Sequence, residues 1–378
     1  MRTITFADIF CGCGGLTNGF HRNKNFKGLL AVDCWPIAGR VFSENHPEIP
    51  FQLRDLYIPE EVDAVSQQLK EKCDVLLGGP PCQGFSTLGK RRNKDKRSSL
   101  VEVFLDICVN VVPKIIVVEN VRGITSIKHR TGKTFPEYIQ EVLSEGNGSI
   151  GYDARAIQVN TLEYGLAQTR IRWFLIAARK DLNTEFHVLN KSIQEIEDQK
   201  TIVRRNLRDV IGDLPQINSG GGDNVIIDHV DGVERTIFNH RAMNHSTKLI
   251  KRFSYVPVGG GLLDVPRDLL TDHLKKMVNG AYGNGGHIKN IYGRLDWEKP
   301  CGTIVAGIDK ITCGRFLHPS SNRLLTPREC ARIQSFPDSF RFFGSLVNQY
   351  YMIGNAVPPE ISRVIANAIA KTFGYSNS

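Results

Sequence analysis

Residues 8–16 read Asp-Ile-Phe-Cys-Gly-Cys-Gly-Gly-Leu, and this stretch leads from an apolar run through a glycine-rich turn into a helical pattern. Glycines in such a turn permit positive φ and let the backbone approach a ligand closely. Asp33 ends the next apolar run, where a carboxylate can accept hydrogen bonds from ribose hydroxyls. A dinucleotide fingerprint needs a third glycine where this chain has Thr17, so we favour an adenosine-type ligand. A purely structural turn is the alternative.

Around this stretch, residues 1–180 alternate apolar runs with helical patterns, which is typical of an α/β fold. The predicted strands are Ile4–Phe10, Leu29–Asp33, Asp74–Gly78, Ile115–Glu119 and Trp173–Ala178. The predicted helices are Trp35–His46, Glu60–Lys70, Ser98–Val112 and Phe135–Glu145. The pattern predicts a doubly wound, mostly parallel sheet covered by helices on both faces, with ligands bound at the carboxyl ends of the strands.

The rhythm stops near residue 181, and from there to about residue 320 glycines, histidines and basic residues become frequent. Close to the end, the amphipathic stretch Ile361–Phe373 predicts a helix that packs back on the sheet. We therefore predict one domain from residues 1–182 plus 345–378, and a smaller, loop-rich domain at 183–344.

Composition favours a polyanionic partner. The chain has 378 residues and a formal net charge of +9, and such an excess suits nucleic acid, although a merely basic enzyme is the alternative. No apolar stretch reaches the roughly 20 residues of a membrane span. The N-terminus lacks a secretory pattern, so we expect an intracellular protein. The nine cysteines include no Cys-x-x-Cys pair, so we expect no metal site.

The sharpest chemical signal is Gly78-Gly79-Pro80-Pro81-Cys82-Gln83. Two prolines fix the backbone before Cys82 and two glycines remove bulk beside it, which holds a thiol in the open position that a nucleophile requires. A following helix N-terminus and nearby cations would raise the thiolate fraction. A buried, inert cysteine is the alternative.

Two further clusters lie at predicted strand ends. Glu119 directly follows four apolar strand residues, and a partly desolvated carboxyl there keeps its proton longer and can donate a hydrogen bond. Alternation predicts that Arg170 and Arg172 share one face of a strand that begins near Ile171. Two guanidiniums on one face need anionic or carbonyl partners if they are buried, and a solvated strand end is the alternative.

Taken in order, these motifs resemble the bacterial DNA (cytosine-5-)-methyltransferases of type II restriction–modification systems, over nearly the whole chain. Later matches are Gln168-x-Arg170-x-Arg172, Leu325–Arg332 and Gly354-Asn355-Ala356-Val357. The departures are Asp33, where the family more often has Glu, and Cys11 and Cys13, where it usually has small residues. The resemblance implies a catalytic and cofactor-binding domain at 1–182 plus 345–378, and a target-recognition domain with hinge at 183–344.

The resemblance also implies the chemistry. The Cys82 thiolate would add to carbon 6 of a flipped-out cytosine, and Glu119 would hydrogen-bond or protonate ring nitrogen 3. Carbon 5 would take the methyl group of S-adenosylmethionine, which leaves as S-adenosylhomocysteine. Arg172 and Arg170 would contact the cytosine carbonyl and nearby backbone. No metal is implied.

The cofactor and DNA contacts implied by the same resemblance are spread along the chain. The cofactor residues are Asp8, Phe10, Gly12, Gly15, Leu16, Asp33, Asp55, Leu56, Pro80, Leu100, Asn355 and Val357. The segment 88–97 carries six cations and one anion, and we interpret it as the loop that closes over DNA phosphates. The expected DNA contacts are Lys90, Arg91, Arg92, Lys94, Arg97, Arg241 and Thr303, with Lys248, Lys251 and Arg252 as further candidates for base reading.

The expected partner is double-stranded DNA, with a cognate restriction endonuclease as a functional rather than physical partner. We expect a monomer in the bacterial cytoplasm, associated with the nucleoid and not with a membrane. The nearest rival is the tRNA-methylating branch of the family, which usually carries Pro-Pro-Cys-Gln-Pro-Phe-Thr, whereas Gly84-Phe85-Ser86 follows Gln83 here. A nicotinamide-dependent dehydrogenase is a second rival, against which the absent third glycine argues.

Overall fold

The computed structural model describes residues 3–81, 100–148, 150–182, 187–279 and 290–375. Cys82 and the basic segment 88–97 therefore lie outside the described residues. The chain divides into two compact units. The first unit comprises Met1–Tyr164, Ile171–Thr201 and Val357–Ser378, and the second comprises Gly165–Arg170 and Ile202–Ala356.

The described part of the first unit contains a seven-stranded sheet in the order β3-β2-β1-β4-β5-β7-β6. Its strands are β1 (Ile4–Ile9), β2 (Phe26–Asp33), β3 (Phe51–Leu53), β4 (Val75–Gly78), β5 (Ile115–Val121), β6 (Tyr152–Asn160) and β7 (Ile171–Arg179). Neighbours from β3 to β5 pair in parallel, whereas β7 pairs antiparallel with both β5 and β6. The predicted mostly parallel α/β sheet is confirmed.

Helices flank this sheet, and local sequence signals begin several of them. They are α1 (Gly15–His21), α2 (Pro36–Asn45), α3 (Pro59–Leu69), α4 (Leu100–Val111), α5 (Phe135–Glu145), α6 (His187–Glu197) and α12 (Pro359–Thr372). Pro36, Pro59 and Pro359 occupy first helical positions, where the missing N–H costs nothing. Thr134 and Glu137 form a capping box at the start of α5.

Two strands escape the apolar pattern. β3 has only three residues, and β6 is half-exposed along most of its length. Because β6 lies at the edge of the sheet, its partly exposed residues do not need to be apolar. Its sequence therefore lacks the continuous apolar run by which the predicted strands were identified.

The domain boundaries differ from those predicted. The chain leaves the first unit after Thr201 rather than after residue 182, because α6 packs on α12, where Lys371 Nζ lies 2.7 Å from Glu195 Oε2. Residues 345–356 belong to the second unit, because the Tyr350 hydroxyl donates to the Leu325 carbonyl at 2.7 Å.

The second unit combines short helices with one described hairpin. Its elements are α7 (Leu207–Ile211), β8 (Gly222–Val230), β9 (Val233–Arg241), α8 (Thr247–Ser254), α9 (Asp272–Val278), α10 (Pro327–Ile333) and α11 (Leu346–Asn355). Buried arginines hold its loops: Arg294 donates to the carbonyls of Val256, Phe253, His318 and Ser321 at 2.7–2.8 Å. Burial alone would raise the pKa of Glu329, but its ion pair with buried Arg323 lowers that pKa to about 2.

Helix α1 crosses α12 so closely that Gly19 has no room for a side chain. A Cβ there would lie 2.1 Å from the backbone nitrogen of Arg363, and the Gly19 N–H donates to Ser362 Oγ at 3.0 Å. The predicted return of the last helix to the sheet domain is thereby confirmed. Among the described residues, no helix is long and apolar enough to pass through a bilayer.

We predict that Gly19→Ala lowers the free energy of unfolding by about 1–3 kcal/mol, because the methyl group forces α1 away from α12. Gly123→Ala is the matched control, since a Cβ there would meet nothing within 4 Å, and it should change stability by less than about 0.5 kcal/mol. Urea unfolding followed by circular dichroism measures both. Equal stability of the two variants would contradict the proposed packing constraint.

Candidate active site

The strand register brings four predicted site segments to one edge of the sheet. Ile9 lies opposite Val32 and Gly78, and Gly78 lies opposite Val118. The residues directly after these four register positions therefore lie side by side at the carboxyl edge of the sheet, where doubly wound folds bind ligands. These residues are Phe10, Asp33, Gly79 and Glu119.

The glycine-rich turn after β1 is held by Asp33. The Asp33 carboxylate accepts hydrogen bonds from the Gly12 N–H and the Trp35 N–H, both at 2.9 Å. Gly12 has φ 55°, and a Cβ built there meets nothing within 4 Å, so the turn borders open space. Burial raises the pKa of Asp33, and these backbone hydrogen bonds oppose that shift. The turn is thus both structural and open to a ligand.

Asp8, at the end of β1, has an unusual environment for a carboxylate. Its Oδ2 accepts a hydrogen bond from the Thr17 hydroxyl at 2.5 Å, whereas its buried Oδ1 has no hydrogen-bond partner among the described residues. Burial raises the pKa of Asp8 to about 7. A buried acceptor without a partner is costly, so this position suits a ligand that brings a donor or a positive charge.

The other predicted cofactor residues of the first unit lie near the ends of its strands and helices. Phe10 takes φ 63° directly after β1, and its ring centroid is 6.5 Å from that of Phe104. The buried Gly15 and Leu16 begin α1, exposed Asp55 and buried Leu56 follow β3, and buried Leu100 begins the described part of α4. Val357 belongs to this unit, whereas Asn355 belongs to the second.

The approach to Cys82 is anchored by Asn120. The Asn120 Nδ2 donates to the Pro80 carbonyl at 3.0 Å, and both residues are buried. A Cβ at Gly78 would lie 2.2 Å from the Phe104 ring, so this glycine lets α4 pack directly on β4. The chain is therefore fixed two residues before the predicted nucleophile, which itself lies outside the described residues.

Glu119 and Arg172 form the charged pair of this edge. The Arg172 Nε lies 3.2 Å from Glu119 Oε1, and only 14% and 12% of these side chains are exposed. Burial lowers the pKa of Arg172, and the charge of Glu119 opposes that shift. A Cβ at Gly79 would lie 3.5 Å from Glu119 Oε2, so the carboxylate borders the loop that leads to Cys82.

Arg170 lies elsewhere. Alternation predicted that Arg170 shares a strand face with Arg172, and this prediction is wrong because strand β7 begins at Ile171. Arg170 belongs to the second unit. Its fully buried guanidinium donates to the carbonyls of Ile304, Gly354 and Ala356 at 2.8–3.0 Å. The carbonyl partners required for a buried guanidinium are therefore supplied by the loop at Ile304 and by the C-terminal end of α11.

Two glutamines received no role from sequence reasoning. The buried Gln168 accepts from the Ile304 N–H at 3.1 Å and donates to Gln334 Oε1 at 2.6 Å. Gln334 in turn donates to the Ile353 carbonyl at 2.8 Å. A hydropathy pattern does not distinguish a buried amide side chain from an exposed one. The one sequence signal for Gln168 was its position in the Gln-x-Arg-x-Arg motif, and Gln334 had none.

The predicted DNA contacts of the second unit are partly exposed. Thr303 is half-buried, and its hydroxyl donates to the Thr169 carbonyl at 2.7 Å. Arg241 ends β9, and Lys248 and Lys251 lie on α8, all three with exposed side chains. The Arg252 Nε is engaged with the Leu269 carbonyl at 2.7 Å. The roles of these residues in DNA binding remain predictions.

Comparison with known proteins assigns the chain to a family. The family model of the C-5 cytosine-specific DNA methylases matches residues 4–371. The type II methyltransferase M.DdeI of Desulfomicrobium norvegicum is 32% identical over 99% of this chain and 90% of its own length. M1.HphI of Haemophilus parahaemolyticus is 32% identical over 98% of this chain and 87% of its own length.

Solved structures share the fold at lower identity. A structure from E. coli, of a protein assigned as a prophage-encoded DNA modification methyltransferase, has a TM-score of 0.70 at 20% identity, covering 99% of this chain and all of that one. The Dnmt2 methyltransferase of S. pombe has a TM-score of 0.59 at 16% identity, covering 98% of this chain and all of that one. The matches to the family model and to the curated relatives exclude the dehydrogenase alternative. The chain belongs to the C-5 cytosine-specific DNA methylase family and is a DNA (cytosine-5-)-methyltransferase.

Proposed function

We propose that this protein transfers a methyl group from S-adenosylmethionine to carbon 5 of a flipped-out cytosine in a specific duplex DNA sequence, through a covalent adduct with Cys82. The observation that carries the proposal is the partly buried Glu119–Arg172 pair beside Gly79, at the same edge as the Asn120–Pro80 contact that fixes the approach to Cys82. A nucleophile and an acid close to one another are what addition to a pyrimidine ring requires.

The residues around the β1 turn fit the methyl donor. Asp8, with its unsatisfied buried oxygen, would accept from the cationic end of the ligand, and Asp33 and Asp55 would hold the adenosine end. Open space at Gly12 leaves the turn free to approach it. When bound, S-adenosylmethionine supplies an electrophilic methyl group to carbon 5 and leaves as S-adenosylhomocysteine. Nothing in this chemistry calls for a metal ion.

The protein groups act on the cytosine ring. The Cys82 thiolate adds to carbon 6, and Glu119 holds a proton at ring nitrogen 3, so that carbon 5 becomes nucleophilic. Arg172 orients Glu119 and contacts the cytosine carbonyl, because a guanidinium has five donors and its pairing with Glu119 uses only part of them. After methylation, a water molecule takes the carbon 5 proton, Cys82 leaves as the thiolate, and the proton at nitrogen 3 returns to Glu119, which restores the aromatic ring.

Arg170 serves a different purpose from the one the resemblance implied. Its burial and its three carbonyl partners support a positioning role. It would fix the Thr303–Ile304 loop, proposed to contact DNA, and the C-terminal end of α11, which contains the proposed cofactor residue Asn355. We therefore keep Arg172 alone as the arginine that contacts the base.

DNA binding follows from the need to reach a ring carbon. A stacked base must be flipped out of the duplex, which costs a few kcal/mol, and the cations of residues 90–97 would bind the phosphates around it. The second unit would read base edges in the major groove. We propose that methylation in the bacterial cytoplasm, at the nucleoid, protects host DNA from a cognate endonuclease.

We predict that Cys82→Ser abolishes methyl transfer and retains DNA binding, because a hydroxyl is a far weaker nucleophile than a thiolate. Bisulfite sequencing of DNA from cells that express the chain first identifies the target word. A duplex with 5-fluorocytosine in that word should then form a denaturant-resistant adduct with the wild-type protein plus methyl donor, and none with Cys82→Ser. An adduct that survives the substitution, or one formed with tRNA instead of duplex DNA, would refute the assignment.

Glu119→Gln should slow single-turnover methyl transfer by about 10²–10⁴-fold, since the amide keeps the shape and loses the transferable proton. Binding of duplex DNA and of S-adenosylmethionine, measured by calorimetry, should change little. A rate close to that of the wild type would remove Glu119 from the chemistry.

Arg170→Lys should raise KM for DNA and KM for the methyl donor together, each about tenfold. A single ammonium group cannot replace a planar guanidinium that donates to three carbonyls. Each hydrogen bond from a charged group that is lost costs about 1.5–3 kcal/mol. The turnover number should fall less than the two KM values rise. Arg172→Lys is the matched control and should lower kcat instead. If Arg170→Lys lowers kcat with both KM values unchanged, the positioning role is wrong.

A further inference from the structure

The hairpin of β8 and β9 exposes an apolar face. Val225 and Ile227 are 55% and 62% exposed, although both lie in the middle of β8. Ile226 points the other way, opposite the fully buried Ile237. The alternation therefore separates an inner face that packs on the second unit from an outer face that meets water. Apolar side chains of this size in the middle of an exposed strand are typical of an association surface.

The hairpin is acidic in a basic chain. Residues 222–241 contain four carboxylates and two arginines, whereas the whole chain carries a formal charge of +9. One of these arginines, Arg235, is engaged with Asp228 at 2.7 Å and with Asp213. Arg241, an expected DNA contact, lies at the end of β9, whereas the four carboxylates along the rest of the hairpin repel DNA phosphates. The apolar face between them is therefore better suited to protein.

One edge of β8 is open. Among the residues that the structure describes, β8 pairs with β9 and with no other strand. Natural sheet edges are usually protected from intermolecular pairing by lysine, proline or a bulge in the edge strand. The sequence of β8, Gly-Asp-Asn-Val-Ile-Ile-Asp-His-Val, contains neither lysine nor proline. This edge of β8 is therefore open to pairing with another strand, and the Asn224 N–H, which donates to Asp223 Oδ1 at 2.6 Å, would exchange that partner for the incoming strand.

The sequence of β8 is complementary to itself in the antiparallel direction. If Ile226 lies opposite Ile226 of a second copy, Val225 meets Ile227. Asp223 meets His229, and Asn224 meets Asp228. Each pair is of a kind that stabilises neighbouring strands: apolar with apolar, acid with imidazole, amide with carboxylate. A twofold axis through Ile226 repeats every pair, as a closed dimer requires.

We infer that β8 pairs antiparallel with β8 of a second copy of this chain, centred on Ile226, to give a four-stranded sheet in which Val225 and Ile227 of both copies form one apolar cluster on the outer face. This dimer replaces the monomer expected from the sequence. The contact consists of two short strands and their outer face, so it lies at the small end of specific interfaces and the dimer is weak and concentration-dependent.

Sedimentation velocity of the full chain over a range of concentrations tests the dimer, with Val225→Lys as the disrupting variant. Val258→Lys is the matched control, because Val258 is also 55% exposed and lies outside the hairpin. We expect a reversible dimer for the wild type and Val258→Lys, and a monomer for Val225→Lys with unchanged DNA affinity. A wild-type monomer at every concentration, equal association of both variants, or a loss of DNA affinity in monomeric Val225→Lys would overturn the inference.

A charge exchange tests the register. Across the twofold axis, Asp223→Lys places a lysine opposite His229, and His229→Asp places an aspartate opposite Asp223. Each single variant therefore loses the acid–imidazole pair and should raise the dimer dissociation constant about tenfold. The double variant restores an acid–base pair and should recover most of that loss. Additive weakening in the double variant would exclude pairing centred on Ile226.

Discussion

The site depends on the parallel register of β1, β4 and β5. Slipping a strand by one residue turns every side chain to the other face, and these strands are buried on both faces, so hydropathy alone does not fix the register. Gly78 supplies part of the missing constraint, because the Phe104 ring leaves no room for a Cβ there and a slip that moves Leu77 into this position brings a larger side chain against the ring. With Gly78 in place, Glu119 reaches the carboxyl edge beside Gly79.

The sheet of the first unit could be predicted from the sequence because most of its strands are continuous apolar runs. The candidate site residues stand at the ends of these runs. Asp33 and Glu119 were predicted at one edge from strand ends alone, and the strand register brings both there. Arg172 reaches the same edge from the start of the antiparallel strand β7, which the strand-end argument did not predict. The same reasoning failed for Arg170, since alternation predicts which residues share a face only where a strand exists, and β7 begins one residue later. The environment of Cys82 lies outside the described residues, so its role rests on the sequence.

The structure of the second unit could not be predicted from the sequence beyond its being rich in loops, and the reason is physical. Its loops are held by buried guanidiniums that donate to backbone carbonyls, as Arg294 and Arg328 do. Such bonds satisfy carbonyls that lie outside helices and sheets, and they need neither periodic hydropathy nor short sequence separation. An arginine that is buried in this way has the same sequence signature as one that is solvated, so the sequence distinguishes them poorly.

Arg170 links this mode of stabilisation to the assembly of the first unit. The contact between Gly19 and Ser362 closes a loop of 343 residues, and closure entropy grows with each doubling of loop length by about 0.6 kcal/mol. Arg170 and Ala356 are the residues at which the chain leaves the second unit, toward Ile171 and Val357. Because Arg170 binds the Ala356 carbonyl at 3.0 Å, the start of β7 and the approach to α12 are brought together within the second unit. The loop to be closed then shortens from 343 residues to the 151 between Gly19 and Arg170 plus the six between Ala356 and Ser362. This roughly halves its length, so α12 docks on α1 at an entropic cost about 0.6 kcal/mol lower.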